Sequence, residues 1–383
     1  MKALNIYLDN NATTCPLKEV RIAMLETLEY FYGNASSAHS LGRKSKSNIT
    51  IARESVATLI GAQPEQIIFT SGGTEANNQV ILSAALVTRK PMHIITSDIE
   101  HSSVLNTCQY LQETRGTQVT YLRVDSNGII DLEELKNAFN EQTKLVSIQW
   151  VNNETGVIQD IRSIGTICQG RGVAFHTDAA QAVGKFSVDV ASLPIDYLTC
   201  TAHKIHGPQG TGAIYAKSCD QLKPLLFGGH QEFGLRSGTE NIAGIVGFGV
   251  AAAMRQKNII ADISHMRNIR DLLEGNIKRA IPLVKINGGN IERVCNTSNI
   301  LFPGIEGFAL IARLDRLGIQ CSQSSACINN RPEPSYVLRA MGLSEDEAYA
   351  SLRFGVSCKT SSNEIAQVVN CISQEWNNLI LKE

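Results

Sequence analysis

Between residues 45 and about 220 the chain alternates short apolar and β-branched runs with longer amphipathic stretches. The runs are QIIFT (66–70), MHIITS (92–97), VTYLRV (119–124), LVSIQWV (145–151), VAFHTDA (173–179), YLTCTA (197–202) and GAIYA (212–216). Runs of this kind read as strands buried on both faces, while the stretches between them, such as SNITIARESVATLIGA (47–62) and LEELKNAFNE (132–141), follow a helical period. This alternation predicts an α/β fold around a mainly parallel sheet, whose ligands bind beyond the carboxyl ends of the strands. The polar residues just after each run are the ones to inspect.

From residue 258 the pattern becomes a long helix, then a strand pair, then further helices ending in EIAQVVNCISQEWNNLILKE. This predicts a second, smaller α+β domain; the opening segment YLDNNATT is a candidate to pack with it, which periodicity alone does not show.

Composition narrows the class. At 383 residues the chain has room for roughly two domains, and its net charge of −1 offers no general attraction for nucleic acid or membrane. The N-terminus lacks an apolar leader, and IAGIVGFGVAAAM (242–254) is too short to span a bilayer, so a cytoplasmic protein is expected. Ten cysteines, at 15, 108, 168, 200, 219, 295, 321, 327, 358 and 371, form no C-x-x-C pair or His/Cys cluster. No metal site is expected, and most of these thiols read as reduced core residues. Cys327 differs: in QSSACINNRPEP (323–334) it sits among small polar residues and prolines, the composition of a surface loop. Such a thiol is either incidental or a nucleophile.

Four strand ends carry candidate chemistry. SGGTEANN follows QIIFT, and its Gly73 and Thr74 open a helix whose N-terminus suits a phosphate, although Ser-Gly-Gly-Thr also makes a plain N-cap. His101 follows MHIITS and offers a ring to stack on an aromatic cofactor. Asp178 ends VAFHTDA with Gln181 three residues on, and reads as a helix cap or as the acid that pairs with a pyridinium nitrogen. Lys204 follows YLTCTA, where a solvated surface position is hard to arrange. An ordinary lysine, at about 10.4, is almost wholly protonated at neutral pH, so imine chemistry needs the desolvation this place can supply. Thr201 and His203 flank it with donors for a phosphate. In this order the set points to pyridoxal 5'-phosphate (PLP).

With those residues in place the chain resembles the PLP-dependent cysteine desulfurases of the NifS/IscS type, within the class V aminotransferases of fold type I. The likeness runs through YLDNNATT (7–14), GNASSAH (33–39), TSGGTEANN (70–78), EHSSVL (100–105), NNETGVIQDI (152–161), HTDAAQAVGK (176–185), TAHKIHGPQGTGAIY (201–215), LRSGTEN (235–241), SSAC (324–327), EPSYVLRAMG (333–342) and SLRFG (351–355). It implies a mainly parallel seven-stranded sheet in a large PLP-binding domain, residues 15–257. The smaller α+β domain would comprise residues 1–14 and 258–383 and carry the catalytic cysteine loop. Lys204 would bind the cofactor aldehyde and Asp178 the pyridine nitrogen, with Gln181 and Asn153 on the ring-oxygen side. His101 would stack on the ring and relay protons, and Gly73, Thr74, Thr201 and His203 would hold the phosphate. Thr239 would reach into the partner's site of a homodimer. Asn34, Asn153 and Arg353 would bind the substrate, with Asn34 and Arg353 gripping its carboxylate, and Cys327 would take its sulfur as a persulfide.

The implied reaction converts L-cysteine to L-alanine and passes sulfur to an acceptor protein of iron–sulfur assembly, tRNA thiolation or DNA phosphorothioation. No membrane or direct nucleic-acid partner is expected. GGHQEFG (228–234) departs from the common GGGQERG, and SSAC from SGSAC. Two alternatives stand beside this reading: a selenocysteine lyase or aminotransferase on the same cofactor, and a PLP-stabilised scaffold for a sulfur-handling or DNA-modifying partner.

Overall fold

The computed structural model describes residues 4–87, 92–323 and 333–381, which leaves Cys327 outside the described residues. All seven apolar runs contribute strands to one sheet, in the order Ile67–Thr70, Gly212–Ala216, Tyr197–Thr201, Ala174–Asp178, Thr143–Ser147, His93–Ser97 and Gln118–Leu122. Gly212–Ala216 is antiparallel to both its neighbours and every other pairing is parallel. Ile67–Thr70 therefore runs the same way as Tyr197–Thr201, and six carboxyl ends share one edge.

Alternation along each strand sends neighbours to opposite faces. Ile94, Leu145 and Ile214 enter one buried cluster with Val80, Ile81 and Val104 of the helices Gly73–Val87 and Ser102–Arg115. Ile95, Val146 and Ala213 enter the other, with Val56, Ile164 and Phe248 of the helices Ser40–Ile60, Ile161–Arg171 and Ile242–Ala280. The result is a sheet between two helical layers. The strand expected over 145–151 ends at Ser147, because the chain beyond turns so that the Gln149 N–H donates to the Glu100 carboxylate at 2.9 Å.

The helix Ile242–Ala280 is continuous for 39 residues and so begins well before the change of pattern at 258. Beyond it, Thr297–Leu301 lies between Ser351–Gly355 and Lys285–Ile286 in an antiparallel sheet. The opening segment joins this part: Ile6–Tyr7 pairs in parallel with Ile319–Gln320. A Cβ on Gly355 would stand 2.6 Å from Asn11 Oδ1, so only glycine lets this strand meet the N-terminal turn. Among the described residues no helix is long and apolar enough to cross a membrane.

Candidate active site

Asp178 closes its strand in a buried position, where an isolated carboxylate would be costly. Its Oδ1 accepts from the Ala180 N–H at 2.9 Å and its Oδ2 from Asn77 Nδ2 at 2.7 Å. The same Asn77 amide donates to Ser103 Oγ at 2.9 Å, and Ser103 Oγ lies 2.8 Å from His101 Nδ1. The Ser103 N–H also donates to Nδ1, at 3.1 Å, so Nδ1 is the acceptor and the neutral ring carries its proton on Nε2. Asp178 and His101 are thus linked through two uncharged side chains that sequence reasoning did not single out. Beside Asp178 in the same strand, His176 is pushed down to about 4 by burial and stays neutral between Ser147 and Thr199.

Lys204 ends the short turn Ala202–Lys204 that follows Tyr197–Thr201. Its Nζ donates to the carbonyls of Asn11 and, at 2.6 Å, Ala12. Burial, helped by the Arg353 cation and opposed by Asp178 and Asp9, holds the amine down at about 8. The N-terminal segment is strapped over this turn: Thr14 N–H donates to the His203 carbonyl at 2.9 Å, and the His206 N–H to Thr14 Oγ1 at 2.7 Å. His206 pays with a left-handed φ of 66°. Gln181 faces the same strip, its Nε2 donating to the Asn11 carbonyl at 2.9 Å.

Gly73, Thr74, Thr201 and His203 line one cavity of about 420 Å³, together with Ala12 and Gly72. The helix Gly73–Val87 opens here and turns its free N–H groups toward the space. A Cβ on Gly212 would fall 2.7 Å from the Gly72 carbonyl carbon, so a glycine strand position lets the turn lie close. His203 is pushed down to about 4 by burial, then by the Lys204 and Lys185 charges, and is a neutral donor. The turn is braced from outside. Glu232 of the divergent GGHQEFG accepts two bonds from Arg53, at 2.6 and 2.7 Å, and one from the Phe69 N–H at 2.8 Å. A larger groove of about 930 Å³ lies at the opposite strand ends, beside Thr143, Ala174 and Tyr197, and holds none of the candidate residues.

Arg353, in Ser351–Gly355, is buried and pairs with Asp9 at 2.8 Å while donating to the Asn153 carbonyl at 3.3 Å. Its Nε and the Oδ1 of Asn153 are buried without a hydrogen-bond partner among the described residues. Asn11 Nδ2 also reaches the Asn153 carbonyl, at 3.0 Å. Arg353 exchanges backbone bonds with Ser322 at 2.7 and 3.2 Å, next to the segment that holds Cys327. Cys321 is half-buried, and its thiol is pushed up to about 12, chiefly by burial and then by Asp9. Two expected residues stand apart: Asn34 is exposed, its Oδ1 taken by the Ser36 N–H at 2.8 Å, and Thr239 is exposed on the surface. Asp9, Asn11, Asn77, Ser103 and Lys185 are the site residues sequence reasoning missed. YLDNNATT and TSGGTEANN held three of them, and EHSSVL and HTDAAQAVGK the other two, in motifs already noted.

The donor set fits PLP: a partly deprotonated amine, a buried acid, a helix N-terminus over a small polar cavity, and orphaned polar atoms on Asn153 and Arg353. A model of the aminotransferase class-V family matches residues 6–368. The chain belongs to that family, and within it to the PLP-dependent cysteine desulfurases. A cysteine desulfurase from Nostoc sp. is 44% identical over 369 residues, covering 96% of this chain and 92% of that one. Among solved structures, a NifS-like protein superposes with a TM-score of 0.92 at 34% identity, covering 98% of this chain and all of the other. SspA in complex with cysteine superposes with a TM-score of 0.82 at 35% identity, covering 93% of this chain and all of that one. The family places the chain in fold type I and makes PLP its cofactor. Among the described residues no group of three or more His, Cys, Asp or Glu side chains is placed to hold a metal ion.

Proposed function

We propose that the chain releases sulfur from L-cysteine as L-alanine and carries it as a persulfide on Cys327 to an acceptor protein. The observation that supports this most is the Lys204 amine, held at about 8 between the buried acid Asp178 and the substrate-facing cation Arg353. Bound PLP supplies an electrophilic aldehyde and a ring that withdraws electrons from the substrate.

Everything else falls to the chain's own residues. Asp178, fixed by Asn77 and Ala180, holds a negative charge for the ring nitrogen. Gly73, Thr74, Thr201 and His203 bind the phosphate, and Gln181 and Asn153 face the ring oxygen. Arg353 takes the substrate carboxylate with the donors that Asp9 leaves free. Lys204 in its neutral form accepts the proton removed from the α-carbon, a role that desolvation favours. His101, with its proton on Nε2, donates at the opposite end of the transfer. The Cys327 thiolate attacks the substrate sulfur, the carbon–sulfur bond breaks, and a proton replaces sulfur on the β-carbon, so L-cysteine and one thiol become L-alanine and one persulfide. An ordinary thiol, at about 8.5, is only a few per cent ionised at neutral pH, so Cys327 depends on being delivered close to the substrate.

The exposed Thr239 supports a homodimer in which it completes the partner's phosphate site. We place the large domain at residues 15–257 and the small domain at 1–14 and 258–383. The experiment is alanine and sulfide release from L-cysteine with a reductant, for wild type, Lys204→Ala and Cys327→Ala. Both variants are expected to be inactive, with Cys327→Ala still binding PLP. Turnover by Cys327→Ala at the wild-type rate would overturn the persulfide step.

A further inference from the structure

Lys185 is a buried cation with no visible reason to be one. It is 5% exposed and makes no ion pair among the described residues. Burying an unpaired ammonium is costly, and replacing a buried charge by an apolar side chain is often neutral or stabilising. The groups that face it are Lys204, Arg255 and Arg353, all of which repel it, and Cys295. Burial and these cations hold its amine down at about 7. Its Nζ has one hydrogen-bond partner among the described residues, Gln181 Oε1.

That single bond has a directional consequence. A protonated Lys185 donates and cannot accept, so Gln181 must turn Oε1 toward the charged form. Its N–H₂ then points the other way, to the Asn11 carbonyl at 2.9 Å, which also receives Lys204 Nζ. The two ends of the Gln181 amide are nearly the same shape, and without Lys185 the Asn11 carbonyl, which Lys204 Nζ also occupies, is the one remaining partner among the described residues that selects between them. The consecutive turns after Asp178 bring Gln181 and Lys185 together, with Gly184 between them at a left-handed φ of 74°.

We propose that Lys185 is a positioning residue that fixes the Gln181 amide with its N–H₂ toward the site, and so sets the donor that faces the cofactor and Lys204. This rests on the PLP assignment, for which wild-type PLP binding is the control.

The test is a double-mutant cycle of Lys185→Met and Gln181→Leu, read by the PLP dissociation constant of the purified full-length enzyme and by kcat and KM for L-cysteine. Lys185→Met is expected to weaken PLP binding roughly 5- to 10-fold and to lower kcat more than it changes KM. Its melting temperature should be no lower than that of wild type, since an unpaired buried charge is removed. In the Gln181→Leu background the same change should have almost no further effect on PLP. Lys185→Arg, which still donates, should restore most of the affinity. Equal effects of Lys185→Met with and without Gln181 would overturn the proposal, as would wild-type PLP affinity in Lys185→Met. Should Lys185→Met not fold, Lys185→Arg decides: it is expected to match wild type within about twofold in PLP affinity, and a folded Lys185→Arg as weak as Gln181→Leu overturns it. If wild type itself failed to bind PLP, the functional reading would fail and not this inference alone.

Discussion

Arg353 Nη2 lies 2.8 Å from Asp9 Oδ1, across 344 residues of sequence, so the guanidinium proposed to bind the substrate is already oriented by a carboxylate from the opposite end of the chain. On the proposed reading, a substrate carboxylate shares this cation with Asp9. Arg353→Lys, which keeps charge but loses the planar fork, is expected to raise KM for L-cysteine roughly 10- to 100-fold with a smaller change in kcat. Asp9→Ala leaves the fork unoriented and should raise KM by a smaller factor. Initial rates over a range of cysteine concentrations check both.

The pH dependence of cofactor capture follows from Lys204. Its amine is lowered to about 8, so it is mostly protonated below that pH and free above it. Recombination of the apoenzyme with PLP is expected to rise about tenfold per pH unit below 8 and to level off above it. Stopped-flow absorbance from pH 6 to 10 measures this, and a plateau reached only near the ordinary lysine value would contradict the desolvated site. The same shift makes Lys204 a stability cost: the unfolded chain binds more protons between about 8 and 10.5, so this residue's contribution to stability rises with pH across that window.

Asp178→Ala removes the buried acceptor of the Asn77 and Ala180 donors. It is expected to weaken PLP binding by about 100-fold or more, because a charged partner of the ring nitrogen is lost and two donors are orphaned. Equilibrium dialysis would settle it; affinity within a few-fold of wild type would remove Asp178 from the proposed site.

Glu232 takes both Arg53 nitrogens and the Phe69 N–H while itself at a φ of 46°. Glu232→Ala strands a buried guanidinium and is expected to cost about 3–5 kcal/mol of stability in urea unfolding. Because Phe69 precedes the Ser71–Thr74 turn, PLP affinity should fall as well.

All seven strands of the main sheet were legible, because buried runs of Ile, Val and Phe leave a local signature. Lys204 and Asp178 were legible because each polar residue follows such a run without a break. Two kinds of feature were not. The start of the helix at Ile242 is hidden by glycine and alanine, which pack closely without a polar face to mark the period. Asp9 with Arg353, and Asn11 with Lys204, are pairings between distant parts of the chain, and no periodicity reports them. Lys185 escaped for another reason: lysine is so seldom buried that its place in HTDAAQAVGK reads as surface. Cys327, the residue on which the proposed transfer depends, lies outside the described residues.

The first strand of the chain cannot pair until its partner Ile319–Gln320 has been made, and Asn10 Nδ2 closes on the Gly355 carbonyl across 345 residues. The same N-terminal turn supplies the carbonyls that receive Lys204. On the ribosome, therefore, the large sheet can form while the lysine still lacks its finished surroundings, and the cofactor pocket is a product of the completed polypeptide. A chain truncated before Gly355 would keep every residue proposed for the phosphate and ring, yet could not assemble the site around them.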